Sequence, residues 1–242
     1  MRSSDPRGSQ ARSALADNAV VCRDVERAYH LDAGEVPALR GVHLALPRGS
    51  FTALVGPSGS GKSTLLRLLA CVDRADRGAV LIDGTDVTRL SRGRRVRLRR
   101  RRIGYMFQNP ADNLLEYLTV RQHLVLGAKL RGMRRVRGGR GGEVAAMLDR
   151  LGLADRADHL PHQLSGGEQQ RTAIGFAALG PPAVLVADEP TGQLDHGTVD
   201  SVLAAFAALT ETGVAVVAAT HDPAVANRAD QVIHLRDGRV TP

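Results

Sequence analysis

The segment that most constrains this chain is the one from Phe51 to Ala70. A short apolar run, Phe51–Val55, leads into Gly56-Pro-Ser-Gly-Ser-Gly61-Lys62-Ser63-Thr64 and then the helical pattern Leu-Leu-Arg-Leu-Leu-Ala. A strand, a glycine-rich turn, Lys-Ser and a helix in that order make the phosphate-binding loop pattern. The glycines let backbone N–H groups turn inward toward phosphate oxygens, and the helix start adds positive potential. Lys62 is expected to reach the β- and γ-phosphates and the Ser63 hydroxyl to bind Mg²⁺. Gly56, Ser58, Gly59, Ser60, Gly61 and Thr64 complete the expected cradle.

Such a loop needs an acidic partner on a neighbouring strand. Ala183–Ala187 is a continuous apolar run that ends in Asp188-Glu189-Pro190. This puts two carboxylates at the C-terminal end of a buried strand, where open α/β sheets bind their ligands. Asp188 is placed to hold Mg²⁺ through water, and Glu189 to polarise an attacking water. Full proton removal is not required, because the phosphoryl transition state is loose and positioning dominates.

Between these motifs lies Leu164-Ser165-Gly166-Gly167-Glu168-Gln169, followed by another helical pattern. Ser165 and Glu168 have capping-box spacing, and the two glycines leave the first turn bare. This is a second anion-binding helix start, more than a hundred residues from the first. One nucleotide in one monomer hardly needs two. A two-fold dimer, with each such start facing the other subunit's γ-phosphate, uses both.

The surrounding pattern is short apolar strands alternating with helices. Strands are expected at 20–25, 42–46, 51–55, 79–82, 103–107, 183–187, 214–219 and 231–235. Helices are expected at 62–70, 120–131, 143–151, 167–178 and 198–209, with Thr119 and Gln122 at capping-box spacing before the second. The fold class is therefore α/β with a largely parallel sheet. Residues 1–18 read as a disordered lead-in, polar and without the apolar core of a signal peptide. A single domain is expected from 19 to 242, its middle part, about 88–165, forming a mostly helical lobe.

Composition excludes several classes. Cys22 and Cys71 are the only cysteines, far apart and in no paired motif, so neither a disulfide scaffold nor a cysteine zinc site is expected. No window approaches 18 uninterrupted apolar residues, so the chain is not expected to span a membrane itself. The net charge is +8, and Lys62 and Lys129 are the only lysines, so the excess is arginine, concentrated in Arg92–Arg102 and Arg131–Arg140. Such runs suit nucleic acid or anionic lipid. Aromatics are 3% with no Trp, and no nucleic-acid-binding motif accompanies the charge, so nucleic acid is the weaker reading.

With these motifs in this order, the chain resembles the ATP-binding subunit of an ABC transporter over about residues 20–240. The resemblance implies a P-loop NTPase (RecA-like) core with a mixed, largely parallel sheet, an antiparallel β subdomain and a helical signature subdomain. Residues 56–64 match the Walker A loop, 164–168 the LSGGE signature and 183–189 the Walker B strand. Tyr29 is similar to the aromatic residue that stacks on adenine. Gln108 matches the Q-loop glutamine that contacts Mg²⁺ and senses the membrane partner. Thr191–Asp195 resembles the D-loop, putting Asp195 at the dimer interface, and His221 matches the switch histidine that bonds the γ-phosphate.

The implied mechanism is that two cassettes, as a homodimer, close on two ATP–Mg²⁺ through Ser165 and Gly167 of the opposite subunit. Hydrolysis reopens them, and a separate membrane permease turns this cycle into substrate movement. The chain is then expected in the cytoplasm, peripheral on the inner face of the membrane. The segment Asn109–Val120 is similar to that of lipoprotein-release, macrolide-export and cell-division cassettes. Glu116-Tyr117 and Gln122 depart from that pattern within the groove expected to receive the permease. A regulatory ATPase of a signalling or cell-division complex remains the alternative, and a nucleic-acid-associated ABC ATPase a weaker one. The arginine runs, one of them where this family often has a basic helix, then become candidate contacts to anionic lipid.

Overall fold

A computed structural model describes residues 17–32, 34–133, 136, 142–180, 182–192, 194 and 196–241. Two sheets organise these residues. The first is antiparallel, in the order β2 (Gly34–Pro47), β1 (Asn18–Leu31), β4 (Arg77–Ile82) and β5 (Thr85–Asp86). The second has the order β10 (Arg239–Thr241), β9 (Gln231–Arg236), β3 (Phe51–Val55), β8 (Ala215–Thr220), β7 (Val184–Asp188) and β6 (Ile103–Met106). It is parallel from β9 to β6, and β10 returns antiparallel on β9.

The central strands are almost continuously apolar, with Thr52, Asp188 and Thr220 the exceptions, because both faces are buried. In β7, Leu185 and Ala187 join one core cluster and Val184 and Val186 the other; in β8, Val216 and Ala218 divide from Val217 and Ala219 in the same way. The first cluster is covered by α3 (Val120–Leu130), α4 (Glu143–Arg150), α5 (Gly166–Ala178) and α6 (His196–Thr210). The second is covered by α1 (Lys62–Leu69) and the antiparallel sheet. Phe206 of α6 is fully buried, with its ring 5.5 Å from that of Phe51. Truncating such a ring to Ala costs about 3–5 kcal/mol.

All eight expected strands are present, but two are far longer than their apolar runs. β1 and β2 form a hairpin of 14-residue strands, interrupted by register shifts. Its distal half leaves most side chains partly or fully exposed, so polar residues hide the strand pattern there. The short β5, β10 and α7 (Pro223–Asn227) were not anticipated. Asn18 already opens β1, and the rest of the expected lead-in, up to residue 16, lies outside the described residues. The span 88–165 contains α2 (Arg92–Arg102) and β6, a strand of the parallel sheet, before α3 begins. Helices α3 and α4 share one apolar cluster with that sheet.

The two cysteines are free and buried, and burial pushes both thiols up to about 12. Neither behaves as a reactive thiol. The second arginine run lies mostly outside the described residues, and its first member is structural. Arg131 donates to the carbonyl oxygens of Ile103 at 2.9 Å and of Ala177, tying β6 to the end of α5. Burial lowers its pKa to about 10.

Candidate nucleotide-binding site

The site gathers at the carboxyl ends of four adjacent parallel strands. β3 delivers the loop from Gly56, β8 delivers His221, β7 delivers Asp188 and Glu189, and β6 delivers Gln108. Together they border a cleft of about 590 Å³, lined also by Tyr29 and Ala38 of the β1–β2 hairpin.

The loop turns into α1 at Gly61, whose φ of 104° is left-handed, and a Cβ there would meet the Ala38 carbonyl oxygen at 2.6 Å. Only glycine satisfies both conditions. No side chain caps α1 and its first turn holds no acid, so its leading N–H groups remain open to an anion. The Lys62 ammonium donates to the carbonyl oxygens of Gly56 at 2.7 Å and Pro57 at 3.0 Å, which spans it across the loop. Ser60 is 3% exposed and sits beneath the loop, where its carbonyl accepts from the Gly238 N–H at 3.0 Å.

The Ser63 hydroxyl and the Asp188 carboxylate line the same cleft. Burial raises the pKa of Asp188 and the adjacent Glu189 charge adds to this, while Ser63 and Lys62 oppose it. Glu189 has a φ of 46°, a left-handed conformation that costs a non-glycine residue about 1–3 kcal/mol. Its N–H donates to Ala219 at 3.0 Å, and its carboxylate lies 3.0 Å from Nδ1 of His221. That partner raises the pKa of His221 through a hydrogen bond and then through charge. Tyr29 is held by its hydroxyl on Asp73 at 3.2 Å and by Arg27 over its ring at 5.0 Å.

The second glycine-rich helix start is elsewhere. Ser165 Oγ accepts from the Glu168 N–H at 3.3 Å, and Glu168 Oε2 accepts from the Ser165 N–H at 2.8 Å and its hydroxyl at 3.0 Å. Glu168 Oε1 accepts from Arg156 Nε at 2.9 Å. The Ser165 N–H, then burial in opposition, then the hydroxyl and Arg156 set the Glu168 pKa, with a net lowering. Ser165 and Gly166 are exposed, whereas Gly167 is buried. A Cβ on Gly167 would stand 2.1 Å from Thr198 Cγ2, so this glycine lets α5 approach α6.

The chain thus brings Tyr29, Gly56, Ser58, Gly59, Gly61, Lys62, Ser63, Thr64, Gln108, Asp188, Glu189 and His221 into one cleft. Ser165, Gly166, Gly167 and Glu168 do not line it. Asp195 lies outside the described residues. Sequence reasoning missed Ala38, Asp73 and Arg156, which have no motif spacing and owe their places to strand pairing and helix packing.

This fold and cleft define a P-loop nucleotide-binding ATPase. The sequence model of the ABC transporter family matches residues 39–192, and the chain belongs to that family as an ATP-binding, ATP-hydrolysing cassette. It is 43% identical over 219 residues to the lipoprotein-releasing system ATP-binding protein LolD of Maricaulis maris, covering 90% of this chain and 94% of LolD. It is 43% identical over 226 residues to the macrolide export ATP-binding/permease protein MacB of Syntrophobacter fumaroxidans. That match covers 91% of this chain but spans only 31% of MacB. Among solved structures, the dimeric post-hydrolysis state of the ATP-binding cassette MJ0796 bound to ADP and Pi superposes with a TM-score of 0.79. It is 34% identical, with 92% of this chain and 97% of that one covered.

Proposed function

We propose that this cassette hydrolyses ATP with Mg²⁺ as a head-to-tail dimer of two copies and drives a separate membrane permease. The observation that carries the reading is the convergence of Lys62, Ser63, Asp188, Glu189 and His221 on one cleft. Asp73 and Arg27 hold Tyr29 at that cleft, as an adenine-stacking residue requires. The donor set suits Mg²⁺: the Ser63 hydroxyl, the Asp188 carboxylate and the Gln108 amide line one cleft. Mg²⁺ prefers such hard oxygens and takes its remaining positions from water and substrate phosphates. Ser63, Asp188 and Gln108 would hold the ion, which neutralises charge on the phosphates.

The chain's own groups do the positioning. Lys62 and the open N–H groups of α1 hold the phosphates, and Glu189 orients the attacking water through its carboxylate. His221 donates to the γ-phosphate and, through Nδ1, fixes the Glu189 carboxylate. Ser165 and Gly167 of the second copy close over the same phosphate, so each copy supplies half of each site. Purified chain should hydrolyse ATP with a rate that rises more than linearly with chain concentration. Turnover strictly proportional to concentration over a wide range would reject the two-copy reading.

Permease docking is supported by exposed apolar residues on the segment around and after Gln108. Phe107, Leu115 and Tyr117 are 51%, 39% and 74% exposed on the segment following β6. The partner then carries a hydrophobic, peptide or lipid-linked substrate, and the cassette works at the inner face of the cell membrane. Among the described residues no helix is long and apolar enough to cross a membrane. We read α2 as a contact to anionic lipid: eight of its eleven residues are arginine, none is acidic, and Arg92, Arg94, Arg97, Arg100 and Arg101 are exposed. Each such charge contributes about 1 kcal/mol near an anionic leaflet. Flotation with phosphatidylglycerol vesicles but not phosphatidylcholine vesicles, lost when these five arginines become glutamine, is the expected result.

A further inference from the structure

The buried joint between the signature helix and the catalytic turn is used by none of the roles above. Gln170 lies on α5, five residues after Ser165, and is completely buried. Its Nε2 donates at 2.7 Å to the carbonyl of Pro190, the residue directly after Glu189. The carbonyl needs a donor, which fixes the amide orientation and turns Oε1 away from Pro190. Oε1 is then buried without a hydrogen-bond partner, and so is Oγ1 of Thr191, the next residue of the turn, which is 4% exposed. Unpaired buried polar atoms are uncommon in folded proteins and call for a physical reason.

The two atoms are complementary, since a hydroxyl donates and an amide oxygen accepts. Both atoms belong to the joint that the Gln170–Pro190 bond closes, so a shift of the Pro190–Thr191 turn against α5 changes their separation. Such a shift reaches the reacting groups directly. Gly192 N–H donates to the Glu189 carbonyl at 3.1 Å, and a Cβ on Gly192 would lie 3.6 Å from Glu189 Cβ and 3.8 Å from Gln108 Nε2. Glu189 holds a left-handed φ, so its backbone is already strained at the point where the turn begins.

We propose that Gln170 is a positioning residue that couples the signature helix to the catalytic carboxylate of the same chain. When Ser165 engages the nucleotide of the second copy, α5 moves as a rigid element and carries the Gln170 amide with it. The turn follows, Thr191 pairs with Oε1, and Glu189 takes its working position. Closure over one ATP thereby prepares the other site, because each chain's α5 serves one site and its Glu189 the other. A two-state element biased from both ends is the physical form such coupling takes. The inference rests on the two-copy reading above.

The test compares Gln170→Met, which keeps the length but removes the amide, with Thr191→Val, which removes an unpaired hydroxyl at constant shape. Nucleotide affinity of the monomer is expected to stay unchanged in both, because neither residue lines the cleft. Turnover should fall about tenfold at saturating ATP, with a lower Hill coefficient. In the Glu189→Gln background both variants should still dimerise with ATP, but amide exchange at Gly192 and Leu194 should no longer slow on dimerisation. Thr191→Val should keep or raise the melting temperature while losing turnover, which a purely structural role does not produce. Wild-type turnover and exchange in both variants would overturn the coupling role alone. A wild-type chain that never dimerises with ATP would overturn the two-copy reading and this inference with it.

Discussion

The starts of α1 and α5 look alike in sequence, each glycine-rich and each opening a helix, yet they are built oppositely. At α1 the cap position is a left-handed glycine, no side chain bonds the first turn, and no acid stands there. At α5 the cap is Ser165 in an extended conformation, its capping box is complete, and Glu168 sits in the first turn under Arg156. The first is preset for an anion and faces a complete set of partners in its own chain. The second is satisfied by itself: Glu168 takes up the helix-end potential and the Ser165 hydroxyl proton points at a carboxylate. To bond a phosphate, Ser165 must turn that proton away from Glu168. An open start binds on arrival, and a capped one binds only in exchange, which suits a group that must engage and release in every cycle.

The most severe test of this contrast is Glu189→Gln. Removing the carboxylate that orients water should lower turnover by about 10²- to 10⁴-fold while ATP binding at the α1 start persists. Phosphate release and equilibrium dialysis read the two quantities, and gel filtration with ATP should show a persistent dimer. Turnover within a few-fold of wild type would displace Glu189 from the role. Lys62→Ala should act on the open start itself, weakening ATP affinity about 10- to 100-fold by removing a charge-assisted bond. Ser165→Ala addresses the capped start. It should leave nucleotide affinity of the monomer alone, cost about 1 kcal/mol of stability through the lost cap, and impair ATP-driven dimerisation. A melting temperature lower by about 2–4 °C is the accompanying sign. If Ser165→Ala weakens monomer binding as Lys62→Ala does, the division between the two starts collapses.

Much of this was legible from residues alone, for identifiable reasons. Strands buried on both faces, such as Val184–Asp188, announce themselves as apolar runs, and the loops at their ends carry distinctive glycine, Lys and acidic residues. The β1–β2 hairpin was half hidden because its outer positions face water and its lengths are set by pairing. The two glycines read as one anion-binding device sit differently in the fold: Gly166 is exposed, while Gly167 is buried and also makes room for Thr198. Arg131 read as part of a charged surface because a sequence cannot show that two carbonyls at positions 103 and 177 converge on it. Gln170 carried no signal at all. A single polar residue on a mostly apolar helix face looks the same whether it meets water or a catalytic turn.

The smallest expected effect sharpens the open side of the contrast. His221 is exposed at 76% of its side chain, yet its pKa lies above the ordinary 6.5 because Glu189 bonds it and adds charge. A raised histidine pKa means the folded chain favours the protonated ring. The resulting stabilisation is complete below 6.5 and disappears as pH rises through the raised value. Solvent screening keeps it small. The same proton has a sharper consequence for turnover. Below the midpoint, the imidazolium carries both N–H groups, so Nδ1 holds the Glu189 carboxylate while Nε2 donates to the γ-phosphate. Above the midpoint, the neutral ring keeps a single N–H and cannot serve both partners. Turnover should therefore fall as pH rises through the His221 midpoint. Titration of the His221 ring by NMR should give a higher midpoint in the wild type than in Glu189→Gln. Equal midpoints would break the link between the two residues, and with it the pH dependence derived from their contact.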